Sequence, residues 1–325
     1  MTEDKLDLTK LPHDRLRRRS AVLLAGIDRR VASAVSYVQE EYVQRPLFER
    51  CSEFAFVDLC DVARSDSTSL RRVWMFPWFE AQRNLAECLN QCFVASYKAA
   101  FDNCRRALEL AVVGAYFVQA SVPEERAQAW IASASETPLF SRAIDELMKT
   151  ARFARMSLWK DDVKRFYWQL SDVVHTRGKN FSFASVQPSN LHFIDVSLPQ
   201  FAATSLSKAL DCFVTTVRHI ATVTAIENPV LLFGFDLMSK FGLNPPLSGI
   251  FEEGQAARLR ELLLEPARQL VLTMADADEE VLSVRQWFDG LPQISEEDLA
   301  AQVRKQNEWL SSHQEPPKEE DESVG

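Results

Sequence analysis

Residues 78–119 read WFEAQRNLAECLNQCFVASYKAAFDNCRRALELAVVGAYFVQ, and this stretch decides the fold class. Leu85, Leu89, Cys92, Ala100, Cys104, Ala107, Ala111 and Val118 recur three, four or seven to eight residues apart, the spacing of a helix rather than a strand. The stretch holds one glycine, Gly114, and no proline. It is long for one globular helix, so a bend or break inside it is expected. Ala95, Ser96, Ala99 and Ala100 are small enough to let another helix approach closely. Val122-Pro123 closes the segment.

The same periodicity extends outward. Residues 12–42 read as an amphipathic helix with Leu24, Ile27, Val31, Val35, Val38 and Tyr42 on its buried face, ended by Arg45-Pro46. Ser65 to Ser69 reads as a loop, and shorter helices are expected near 124–133 and 138–156. Lys160 to Arg177 forms the next clear helix, with Asp161 and Asp162 suited to its positive end and Gly178 to its C-cap. Its apolar stripe is Phe166, Tyr167, Leu170, Val173 and Val174. A helix from about Leu198 to Ile226 stops at Asn228-Pro229. Glu252 to Leu272 is helical with a break at Pro266, and Ser295 caps a last helix carrying Leu299, Val303 and Leu310. One short β-hairpin, near 181–196, is the only strand structure expected.

The chain therefore reads as all-α, a helical bundle with flanking helices. It divides into an N-terminal helical region (1–77), a bundle core (78–226), a C-terminal accessory region (227–314) and a disordered acidic tail (315–325). Composition agrees with a globular helical protein. Of 325 residues 46% are apolar and 26% charged, and only 9 are glycine. The net charge of −9 is uneven: residues 251–325 hold 18 acidic and 7 basic side chains, which leaves the first 250 near neutral. A near-neutral body lacks the footprint of strong nonspecific nucleic-acid binding. Arg15, Arg17, Arg18 and Arg19 form one local basic cluster, either a solvated face paired with Asp14 and Asp28 or a surface for nucleic acid or an acidic partner.

The apolar run 21–27 that follows these arginines is interrupted by Asp28-Arg29-Arg30, so it does not read as a signal peptide. The longest clean apolar run, Leu110 to Val118, is too short to span a bilayer. Six cysteines, at 51, 60, 88, 92, 104 and 212, include no Cys-x-x-Cys and suit the core of a protein in the reducing cytoplasm. Cys88 and Cys92, one turn apart, share a helix face and would need further ligands to hold a metal. Gly-x-Gly-x-x-Gly, Gly-Lys-Ser/Thr, Gly-x-Ser-x-Gly and His-Glu-x-x-His are all absent. No nucleotide cofactor, metal or membrane is expected.

One polar constellation stands out. Arg105, Arg106 and Glu109 lie beside Asp102 and Asn103 on one helix, with Asp102–Arg106 and Arg105–Glu109 each spaced by four. On another, Tyr167, Ser171 and His175 share a face, followed by Arg177. Ordinary surface ion pairing and a favourable cation at a helix C-terminus explain such residues structurally. A ligand or partner site explains them functionally.

Arg-Arg-Ala-Leu-Glu-Leu (105–110), followed about sixty residues later by Phe-Tyr-Trp-Gln-Leu-Ser-Asp-Val-Val-His (166–175), resembles the HEPN-like helical domains of bacterial proteins. The resemblance covers roughly residues 80–226. It implies a bundle of four or five helices, often dimeric, and in some members of toxin and phage-defence systems a ribonuclease activity. Those members use an Arg, four to six intervening residues and a His. Here the nearest arginine before His175 is Arg165, with nine residues between. The resemblance therefore favours a noncatalytic HEPN-like protein with a binding or assembly role. The alternative is a divergent RNA-cleaving effector, with His175 as general acid/base and Arg177 or Arg105 stabilising the transition state. A third reading is an adaptor acting through the C-terminal helix and acidic tail. The expected partners are a second copy of the chain, another protein or RNA.

Overall fold

The computed structural model describes residues 13–42, 45–62, 73, 75–175, 177, 201–245, 249–265 and 267–313, with side chains from residue 26 onward. The expected loop at 65–69, the hairpin at 181–196, the Gly178 cap, the Pro266 break itself, the acidic tail and the side chains of the arginine cluster lie outside these residues. Thirteen α-helices are described: α1 (His13–Glu41), α2 (Pro46–Phe56), α3 (Phe76–Phe93), α4 (Tyr97–Phe117), α5 (Glu124–Ile131), α6 (Phe140–Leu147), α7 (Ser157–Val174), α8 (Ala203–Glu227), α9 (Leu237–Phe241), α10 (Glu253–Leu262), α11 (Ala267–Asp276), α12 (Glu279–Gly290) and α13 (Glu296–His313). Two 3₁₀ turns, Asp58–Asp61 and Pro229–Leu232, join them. Among the described residues no strand forms, only an isolated bridge between Gly234 and Phe251. The fold is all-α.

The stretch 78–119 is two helices, not one. α3 ends at Phe93 and the chain reverses through Val94–Ser96, with Ala95 in the left-handed region at φ 60°. The Ser96 N–H donates to the Gln91 carbonyl at 2.8 Å, closing the end of α3. α4 then runs back antiparallel, so that Gly114 meets Pro77 and Cys104 meets Cys88. α4 is the central helix: it packs against α3, α6, α7 and α8. From Ala111 to Phe117 every residue of it is buried, as a helix apolar on all sides must be.

One apolar core runs from Ala34 and Tyr42 of α1 through α3, α4, α7 and α8 to Val271 and Ala275 of α11. A smaller cluster, including Phe235, Val281 and Phe288, lies beneath α12. Of the stripe expected on α1, Val38 and Tyr42 are buried, but Ala34 takes the place of Val35, which is exposed. The expected helix 138–156 ends at Leu147, where turns lead into α7. α7 begins at Ser157, so Asp161 and Asp162 fall in its second turn rather than at its positive end, and Asp162 pairs with Arg165. α8 has the length and mean hydropathy, 1.2, to cross a membrane, but 78% of that window is buried inside the fold.

Two arginines hold distant segments together. Arg152, after α6, donates to both Asp278 oxygens (3.0 and 3.1 Å), to Glu280 (2.7 Å) and to the Glu227 carbonyl (2.7 Å). Arg258 of α10 grips the fully buried Asp58 with two bonds (2.6 and 3.0 Å) and pairs with Glu53 of α2. Bidentate guanidinium–carboxylate pairs of this kind are geometrically specific and strong.

Candidate functional site

The α3–α4 hairpin carries a polar cleft of about 500 Å³. Glu80, Arg83, Asn84 and Glu87 line it from α3, and Asn103, Arg106, Glu109 and Leu110 from α4, with Thr137 at one edge. Helical spacing explains this set. Positions 80, 83, 84 and 87 form one face of α3, and 103, 106 and 110 form the facing stripe of α4. The neighbouring faces, Ala81, Leu85 and Cys88 on α3 and Cys104, Ala107 and Leu108 on α4, are buried in the core.

Glu109 is the site's most unusual group. It is half-buried, and Tyr167 of α7 donates its phenol proton to Glu109 Oε1 at 3.3 Å. Arg105 in turn donates to the Tyr167 oxygen through Nε (3.2 Å) and a terminal nitrogen (3.0 Å). The Tyr167 ring stacks on Phe140 of α6, 3.9 Å between centroids and 7° from parallel, which fixes the direction of its hydroxyl. Burial pushes the Glu109 carboxyl above its ordinary value, although Arg105 and the Tyr167 hydrogen bond oppose the rise. Burial also raises the Tyr167 phenol, against the Arg105 hydrogen bond.

The charges in the cleft do not balance. Arg106 is answered by Asp102 at 2.7 Å, and Arg105 is turned toward Tyr167. Among the described residues Glu80, Arg83 and Glu87 make no ion pair. Glu80 and Glu87 therefore face one unanswered guanidinium, Arg83, while Glu109 has the charge of Arg105 nearby. A cleft with surplus carboxylates favours a cationic occupant.

The residues singled out in the sequence divide between two places. Arg105, Glu109 and Tyr167 meet in one hydrogen-bonded chain, and Arg106 lines the cleft beside them. Ser171 is buried on α7. His175 is not the partner of Glu109. It is the exposed C-cap of α7, eight residues and about 12 Å beyond Tyr167 along the axis. The helix ends at Val174, so the face shared by Tyr167 and Ser171 does not continue to His175. Arg177 is exposed too and bonds to Asp172 at 3.2 Å. Neither lines the cleft. Sequence reasoning missed Glu80, Arg83, Asn84, Glu87 and Thr137. For the four on α3 the signal was the polar face of the first half of the hairpin, which becomes a cleft wall only once the chain reverses at Ala95; Thr137, in the connection before α6, gave none.

Among the described residues no group of three or more His, Cys, Asp or Glu side chains is placed to hold a metal ion. Compared with known protein families, curated proteins and solved structures, the chain matches none.

Proposed function

We propose that this chain is a noncatalytic, HEPN-like helical protein that binds a small organic cation, of the linear polyamine class, in the α3–α4 cleft. The observation that carries the reading is Glu109, a half-buried carboxylate at a cleft with surplus acid groups, held by Tyr167 and Arg105. An ammonium group placed against Glu109 would restore the stabilisation that burial removes. Arg105 and Tyr167, which belong to the two segments that resemble HEPN-like domains, meet beside this cleft. A linear diamine or triamine suits the groove: Glu80 and Glu87 are seven residues apart, about 10 Å along the helix. The amides of Asn84 and Asn103 supply acceptors between them.

Titration calorimetry of the full chain with spermidine tests this. Saturable binding is expected, weakened about tenfold or more by Glu109→Gln. Absence of binding, or equal binding by Glu109→Gln, would overturn the reading. Hydrolysis of a synthetic RNA by the wild type, lost in His175→Ala with stability unchanged, would overturn its noncatalytic part.

A further inference from the structure

Directly behind the cleft lie four thiols. Cys88 and Cys92 of α3, Cys104 of α4 and Cys212 of α8 converge where these three helices pack, and all four are buried. Cys88 Sγ and Cys104 Sγ are 3.3 Å apart. Cys92 lies against Cys88, and Cys212 against Cys104. Thr216 Oγ1 faces the Cys104 and Cys212 sulfurs without an aligned hydrogen bond. Cysteine is a common small core residue, but filling space does not require two sulfurs in direct contact across a helix pair. The four thiols do not surround a common point that would hold a metal ion.

The sequence neighbours of the contacting pair give it a consequence. Glu87 precedes Cys88 and Asn103 precedes Cys104, and both line the cleft. We propose that Cys88 and Cys104 form a reversible disulfide that draws α3 and α4 together behind the cleft and changes its affinity for its ligand. The regulatory half of this proposal rests on the cation-binding reading; the bond itself does not. Closing the pair from 3.3 Å to a covalent length of about 2.05 Å moves the two sulfurs together by about 1.2 Å.

The chemistry balances with a hydroperoxide as oxidant. One thiol loses its proton, and the thiolate sulfur attacks a peroxide oxygen. The O–O bond breaks, hydroxide leaves and is protonated, and a sulfenic acid forms. The second thiol, losing its proton, attacks that sulfur; the S–S bond forms and the hydroxyl leaves as water. Two thiols are oxidised by two electrons, and one hydrogen peroxide becomes two waters. Burial opposes ionisation of Cys104, but its contacts with Cys212, Cys88 and Thr216 lower its thiol below the ordinary value. The hydrogen-bonding demand of Cys104, followed by Cys92 and burial, pushes Cys88 up.

The test uses the full reduced chain treated with hydrogen peroxide, then with dithiothreitol. Intact mass should fall by two hydrogens, peptide mapping should show Cys88 joined to Cys104, and dithiothreitol should reverse both. Cys60→Ser, which removes the most exposed thiol, should leave the bond unaffected, while Cys104→Ser should abolish it. Oxidation confined to Cys60, pairing of other cysteines, or oxygen addition at Cys88 or Cys104 without a crosslink in the wild type would overturn the proposal, whether or not Cys104→Ser folds. Spermidine affinity should change by about tenfold between the two forms, and amide exchange across 80–109 should slow in the oxidised one. Crosslinking with slowed exchange but no spermidine binding in either form would sink the cation reading and leave the bond standing. Crosslinking with unchanged exchange and unchanged affinity would overturn the coupling to the cleft.

Discussion

Gly114 sits inside α4, where alanine would normally stabilise a helix by about 1 kcal/mol. Here the sign reverses. An added Cβ would lie 2.8 Å from Pro77 Cβ and 3.2 Å from Pro77 Cγ, at the point where the two helices of the hairpin touch. Gly114→Ala should destabilise by about 1–3 kcal/mol in urea unfolding, and a stabilised variant would show that the contact yields easily. The glycine was visible in the sequence, but not what it faces: Pro77 is far away along the chain and is brought close only by the reversal. His219 lies deep in the core. It is 1% exposed, stacks on Phe166 and has an unpartnered Nδ1. Burial pushes its pKa down to about 4, with Asp162 opposing and Arg218 and Arg165 adding to the fall. A histidine depressed in the folded state contributes stability that is complete above its unfolded pKa and is lost as pH falls from there toward the folded value. His219 should therefore cost the fold about 2 kcal/mol between pH 7.5 and pH 5, relative to a His219→Gln variant. Parallel pH profiles for the two proteins would contradict this.

At the scale of elements, Tyr167 joins α7 to α4. Tyr167→Phe keeps the stacking on Phe140 but removes the oxygen that receives Arg105 and donates to Glu109. A loss of about 1–3 kcal/mol is expected, because two partly buried charged groups lose their partner. His175→Ala should change stability by less than about 0.5 kcal/mol, as an exposed helix end does. Equal losses in the two variants would contradict the geometry. The helical class was legible because the apolar spacing persists through every major element. Periodicity alone does not distinguish one long helix from a hairpin, since both arms of 78–119 keep the same spacing, and the turn at Ala95 uses no glycine or proline. Arg105, Glu109 and Tyr167 were legible as polar residues beside apolar stripes. Which residue of α7 reaches Glu109 depends on how the helices are offset along their axes, and the sequence does not carry that offset. The cysteines were likewise legible as core residues, and Cys88–Cys104 contact only through the reversal.

At the scale of the molecule, helices from α1 to α11 share one core, a smaller cluster lies under α12, and partly buried arginines tie distant segments together. Arg152 joins the turn after α6 to the end of α8 and the start of α12, where Asp278 also caps the helix through its Oδ1. Arg152→Ala leaves Asp278 with its charge unmatched in a mostly buried place and should cost about 3–5 kcal/mol. Amide exchange should show the loss first in residues 279–290, and uniform loosening across the chain would contradict that placement. Above these supports stands the central claim, that the fold holds Glu109 as a receptor for a cation. The most direct measurement is an NMR titration of the Glu109 side-chain carboxyl carbon in the full chain, with and without spermidine. The account predicts a midpoint above the ordinary glutamate value of about 4.3 in the free protein, moving down when spermidine is present. An ordinary midpoint that spermidine does not move would contradict it.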